Sequence, residues 1–178
     1  MRETDHRIVV SQMEFQHLQD VYAMGVKLFT PEKSPVLYRT WDEYEILERF
    51  MSDSEYCWVA KNHKKIVGFG LGALIEKPKA AWIYGYLLWL GVDQKYQTYG
   101  VGKKLVDKAT KSFIDAGARI LMVDTARDNT KAINFFTKHG FDNVEDHVYL
   151  SKSLKDHPYY QDKQATKRKK RIKTVPCS

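Results

Sequence analysis

Residues 82–105 read WIYGYLLWLGVDQKYQTYGVGKKL. Trp82 to Val92 is almost all apolar or aromatic, which predicts a strand buried on both faces near the middle of a sheet. Gly85 within it marks a bulge or a close backbone approach. After a short polar stretch comes Gln97-Thr98-Tyr99-Gly100-Val101-Gly102, and then a helix. Val101, Leu105, Ala109, Phe113 and Ala116 fall on one helix face, and Gly117 is placed to end it. A buried strand that feeds a glycine-bearing turn at a helix start suits an anion. Backbone N–H groups and the positive helix end hold phosphate charge, and a missing Cβ lets a phosphate reach the backbone. Lys103 adds a positive charge.

Upstream, residues 7–10 predict a short strand. Phe15, Leu18, Val21, Tyr22, Val26 and Phe29 recur at helical spacing. Pro31 and Pro35 mark a loop. Thr40, with Glu43 three residues on, predicts a capping box for a second helix carrying Trp41, Tyr44, Leu47 and Phe50. Tyr56–Lys61 and Ile66–Ile75 predict two strands joined by a turn at Asn62-His63-Lys64. Downstream, Ile120 to Asp124 reads as a strand, and Asn129 to His139 as a helix ended by Gly140. Phe141 to Leu154 holds the last strand or pair of strands. Hairpins first, then strand–helix–strand–helix–strand, predict an α+β (mixed α/β) fold: a central mixed sheet with helices on both faces. This domain is expected over residues 1–154. Residues 155–178 have few aliphatic side chains and cannot build a core of their own.

Two other phosphate loops fit less well. A dinucleotide-binding turn wants a third glycine and an acidic residue about twenty positions on. Asp124 lies at that distance, but the third glycine is missing and antiparallel hairpins precede the turn. The triphosphate pattern GxxxxGK(S/T) is absent. Together with the downstream stretch Asn129…Ala132-Ile133-Asn134-Phe135-Phe136-x-x-His139-Gly140-Phe141, the loop Gln97-x-x-Gly100-x-Gly102 resembles the GNAT N-acetyltransferase superfamily over roughly residues 7–154. The resemblance implies a GNAT-like sheet and acetyl-CoA as co-substrate. It places backbone groups of Leu90, Gly91 and Val92 on the pantetheine arm. It places Gln97, Thr98, Tyr99, Gly100, Val101, Gly102 and Lys103 on the pyrophosphate. Asn129 would contact the cofactor, cap a helix, or do both. Phe136 stands on the cofactor side, where many members carry a tyrosine that acts as general acid.

The implied reaction is transfer of acetyl from acetyl-CoA to a primary amine (a peptide or protein N-terminus, a lysine or a small amine) by direct attack in a ternary complex. Phe136 cannot donate a proton. Expelling a thiol of pKa about 8.5 as thiolate near pH 7 then leaves roughly 2 kcal/mol unassisted. Tyr149 and His147 are substitutes suggested by their place on the last strand. Asp124 matches a position where some relatives carry a glutamate, and it reads as a general base or as a plain strand-end residue. Phe29, Tyr38, Trp41, Tyr84 and Tyr86 read as an aromatic acceptor cavity or as core. The alternative function is a catalytically weak acyl-CoA-binding module whose basic tail meets nucleic acid or the ribosome.

From Lys155 onward there are eight Lys or Arg and two Asp, a net of +6, so the remaining 154 residues carry about +1 of the chain's +7. That charge suits phosphate contacts or simple solubility. The scattered histidines and two cysteines show no metal-ligand spacing, so no metal is expected, and both cysteines are expected to be free. No apolar run reaches the roughly 18 residues a membrane helix needs. The charged start, Met1 to His6, has no apolar region behind it. The expectation is a cytoplasmic protein, a monomer or homodimer, without membrane contact.

Overall fold

The computed structural model describes residues 7–30, 40–76, 82–145, 152–161 and 163. The chain divides into two compact units, residues 1–143 and 144–178. The sequence expectation set its own limit at 154, from composition rather than contacts. In the second unit, residues 158–161 are helical. The first unit holds every element named below.

Its order is β1 (Ile8–Gln12), α1 (Leu18–Leu28), α2 (Glu43–Ser52), β2 (Cys57–Asn62), β3 (Lys65–Ile75), β4 (Tyr84–Val92), α3 (Val101–Asp115), β5 (Ile120–Val123) and α4 (Thr130–Thr137). The five strands lie in the order β1-β2-β3-β4-β5. All pairs are antiparallel except β4 with β5. This is the expected mixed sheet. The β2–β3 turn is where the sequence put it, with His63 at φ 53°, a region that histidine enters more readily than most side chains.

α2 corrects the expected cap. Asp42, not Thr40, is the N-cap, and its Oδ1 accepts from the Glu45 N–H at 2.8 Å. The start is therefore Glu43. Ile46 is buried, while Tyr44 and Leu47 are 75% and 44% exposed. Trp41 precedes the helix and is buried.

β4 corrects a second expectation. Its residues alternate between half-buried and buried, instead of being buried on both faces. β5 pairs only with Tyr84 to Leu87, and half-buried positions lie both inside and beyond that stretch. The bulge is also not at Gly85. Leu71 faces Trp89 and Gly72 faces Leu87, so Leu88 has no counterpart on β3. One extra residue reverses the alternation. Before it, Leu87 belongs to the core under α3; after it, Trp89 belongs to the core under α1 and α2.

The sheet separates these two cores. On one side Trp58, Leu87, Leu105 and Phe113 pack together, and on the other Val59, Phe69, Leu71 and Trp89. α3 sits close because glycines lie beneath it. A Cβ at Gly85 would fall 2.4 Å from Phe113 Cγ, one at Gly72 would fall 2.8 Å from Phe113 Cζ, and one at Gly68 would fall 2.8 Å from Val101 Cγ1. Gly85 is thus the close approach, made by a helix side chain. Gly117, at φ 81°, follows the end of α3 as expected.

Cys57 is a free thiol inside the sheet, and burial pushes its pKa up to about 12. Cys177 lies outside the described residues. Residues 141–145 are irregular where a strand was expected to begin, and residues 146–151, with His147 and Tyr149, lie outside the described residues. Among the described residues no helix is long and apolar enough to cross a membrane.

Gly85→Ala overpacks the Phe113 seat. We expect a loss of about 1–3 kcal/mol in urea unfolding, and partial recovery when Phe113→Leu is added. A Gly85→Ala protein as stable as its parent would show that α3 does not ride this close to β4.

Candidate active site

β4 leads directly into the glycine turn. The Asp93 N–H donates to Val67 O at 2.9 Å, and Asp93 Oδ1 accepts from the Lys95 N–H at 3.0 Å. Lys65 Nζ lies 3.3 Å from the other Asp93 oxygen. Burial alone would push the Asp93 carboxyl up, but the Lys95 N–H and Lys65 outweigh it and hold the group below its ordinary value. The chain then turns through residues 97–100 into α3, whose N-cap is Gly100 at φ 71°, ψ 13°. That left-handed conformation requires glycine, and nothing lies within 4 Å of where its Cβ would be. The first-turn N–H groups of Val101, Gly102 and Lys103 have no partner within the helix, and the cap has no side chain to satisfy them. Open space at Gly100 beside first-turn donors that lack a helix partner fits a phosphate.

The other glycine has a different reason. A Cβ at Gly102 would fall 3.0 Å from Phe135 Cζ. Gly102 lets α4 pack against α3, rather than making room for a ligand. Gln97 donates from Nε2 to Val92 O at 3.4 Å and accepts from Lys131 Nζ at 2.5 Å. Lys103 Nζ is paired with Asp107 at 2.6 Å. Thr98 and Tyr99 are exposed.

The β4–β5 ladder ends at the pair Leu87–Val123. Leu90, Gly91 and Val92 continue beyond it, paired with β3 on their other side. The two strands therefore part between Leu87 and the glycine turn. At the mouth of this gap, Tyr86 Oη donates to Asp124 Oδ1 at 2.6 Å. Tyr86 comes from the last paired stretch of β4, and Asp124 directly follows β5.

The family model described as Acetyltransferase (GNAT) family matches residues 19–141. The chain belongs to the GNAT acetyltransferase family. Two curated relatives of the family match it over about half its length. A mycothiol acetyltransferase from Jonesia denitrificans is 37% identical over 84 residues, covering 47% of this chain and 26% of its own. The human N-alpha-acetyltransferase 30 is 26% identical over 87 residues, covering 49% and 24%. The chain thus spans about a quarter of the length of these curated relatives. Among solved structures, an aminoglycoside acetyltransferase from an uncultured soil metagenomic sample superimposes with a TM-score of 0.67 at 20% identity, covering 85% of this chain and 99% of that one. A NatC complex bound to Gag peptide and CoA gives 0.62 at 18% identity, covering 85% and 91%. At these identities the likeness is one of fold.

The GNAT signature residues downstream serve the fold first. Asn129 is the N-cap of α4: its Oδ1 accepts from the Ala132 N–H at 3.2 Å, and its Nδ2 donates to Thr125 at 2.9 Å. Phe136 is half-buried, with ring centroids of Phe135 and Phe141 at 5.2 and 5.3 Å. Of the aromatic acceptor candidates, Trp41 is in the core against Gly25, and its Nε1 donates to Tyr22 O at 3.1 Å. Phe29 stacks beside it, 5.4 Å from Trp41 and 4.8 Å from Trp89. Tyr84 and Tyr86 are half-buried on β4, and Tyr38 lies outside the described residues. A cavity of about 550 Å³ opens between α1 and the start of β3, but its lining includes neither the glycine turn nor Tyr86 or Asp124. Sequence reasoning missed Lys131, whose only signal was a lysine two positions after a capping asparagine.

Gly100→Ala should lower stability by about 1 kcal/mol or more, because φ is forced positive. Gly100→Asn should cost less, since asparagine tolerates that region. Equal losses in urea unfolding would show that space, not φ, demands the glycine. The Asp93 carboxyl is depressed, so its contribution is full above its ordinary pKa and disappears as pH falls through the lower folded value. Acid titration of stability with Asp93→Asn should show that contribution missing.

Proposed function

We infer that this domain is an acetyl-CoA-dependent N-acetyltransferase whose acceptor is a primary amine, with a peptide or protein α-amine the best-supported kind. The observation that carries the reading is the Tyr86–Asp124 hydrogen bond of 2.6 Å at the mouth of the β4–β5 gap. From Leu87 to Val92 the strand runs about 16 Å. A pyrophosphate on the glycine turn and a thioester near Tyr86 would lie at its two ends, joined by the pantetheine arm. That arm's amides can pair with the β4 backbone at Leu90, Gly91 and Val92, as an added strand does. CoA supplies the thioester; the remaining tasks fall to this chain's own residues.

Tyr86 Oη donates a hydrogen bond to the Asp124 carboxylate, which orients the phenol oxygen to accept an N–H from an incoming amine. A carboxylate is a weak base, so the acceptor must lose its first proton cheaply. An α-amine of pKa 7.7–8.0 requires about 1 kcal/mol near pH 7, whereas a lysine requires roughly 4–5 kcal/mol. This difference favours the α-amine, as do the relatives named N-alpha-acetyltransferase. The ring of Phe136 offers no proton to the departing thiolate. The roughly 2 kcal/mol left unassisted is smaller than the 7–11 kcal/mol that orientation can supply.

The test is CoA release from acetyl-CoA against three acceptors: peptides with a free N-terminus, N-blocked peptides with one lysine, and small polyamines. We expect the first to react best. Asp124→Asn and Tyr86→Phe should each lower kcat/KM by about 10²-fold or more, and the double variant should be no worse than the poorer single one. Lysine peptides reacting as well as free N-termini would defeat the α-amine assignment. Phe136 favours a second reading, a CoA-binding module with little turnover. CoA that binds but is released with no amine would establish it.

A further inference from the structure

Lys131 occupies the second position of α4, where the positive end of the helix disfavours a cation. Its ammonium leaves α4 and reaches the glycine turn, 2.5 Å from Gln97 Oε1. Gln97 is a neutral amide, and among the described residues Lys131 makes no ion pair. Two of the four lysines of α3 differ. Lys103 is neutralised by Asp107 at 2.6 Å, and Lys111 by Asp115 at 2.8 Å. Asp107 lies one turn further along α3, so Lys103 points its charge away from the helix start.

The second residue of α3, Gly102, packs against Phe135 in the latter half of α4, and Lys131 near the start of α4 reaches Gln97. The positive start of α3 and an ammonium with no ion pair among the described residues thus meet at one turn, beside the open space at Gly100. Like charges gathered this way repel one another until an anion arrives. We propose that Lys131, and not Lys103, is the side-chain cation that binds the pyrophosphate of CoA, exchanging the Gln97 oxygen for a phosphate oxygen. The inference rests on the reading of the glycine turn as the CoA site. The pyrophosphate is favoured over the ribose 3′-phosphate because Lys131 touches Gln97, the first residue of the turn whose amides face that group.

The test is calorimetric binding of CoA, dephospho-CoA and pantetheine to the full chain. Lys131 is exposed, so its replacement leaves the fold intact, which thermal unfolding checks. Lys131→Met should weaken CoA and dephospho-CoA alike by about tenfold, with pantetheine unaffected. Lys131→Arg should retain most of the affinity, and Lys103→Met should lose less than Lys131→Met. High salt should narrow the gap between Lys131→Met and its parent. The proposal is overturned if Lys131→Met binds CoA like the parent, or if Lys103→Met loses more. It is also overturned if Lys131→Met loses CoA but not dephospho-CoA, which would assign the lysine to the 3′-phosphate. A parent protein that binds neither nucleotide would instead defeat the CoA reading itself.

Discussion

α3 rests on backbone as well as on side chains. Phe113 lies over Gly72 and Gly85, and Val101 over Gly68. Everything at the site follows from this close seat. It fixes the height of α3 above the sheet, and so brings the helix start level with the end of β4. The turn between them can then be short, and its left-handed cap at Gly100 can aim the first N–H groups outward. α4 is placed in turn by Gly102, which receives Phe135. Packing of apolar surface, the dominant favourable contribution to folding, is here what positions the glycine turn.

The parting of β4 from β5 is the second determinant. A parallel pair joined by a helix would ordinarily continue its ladder. Here the ladder stops at Leu87, just before Leu88, which has no counterpart on β3. The donor loop and the Tyr86–Asp124 pair therefore sit at the two ends of one gap. Neither side of the site needs a long loop. Each functional group is carried on, or directly beside, a regular element.

Much of this was legible in the sequence because it depends on local pattern. The helix face of Val101, Leu105 and Phe113, the stop at Gly117 and the turn at His63 are all decided within a few residues. The misreadings share a cause as well. Thr40 and Asp42 are both good caps, and the sequence does not choose between them, whereas the structure uses Asp42. Gly102 looked like a ligand-facing glycine because a sequence does not say whether a phosphate or a phenyl ring fills the missing Cβ. Lys131 gave almost no sign, since its meeting with Gln97 joins positions 34 apart in the chain. Nor does the sequence show that Lys103 pairs with Asp107.

The bulge at Leu88 has a consequence for how β4 can change over time. The strand serves one core with Gly85 and Leu87 and the opposite core with Trp89 and Gly91, and a single extra residue makes the switch. Removing Leu88 alone would leave Leu87 and Trp89 on their present faces, because neighbouring strand residues point to opposite sides. A loss or gain on either side of the bulge would instead shift the residues beyond it by one place and exchange their faces. The extra residue is thus a place where the strand can change length without exchanging its cores.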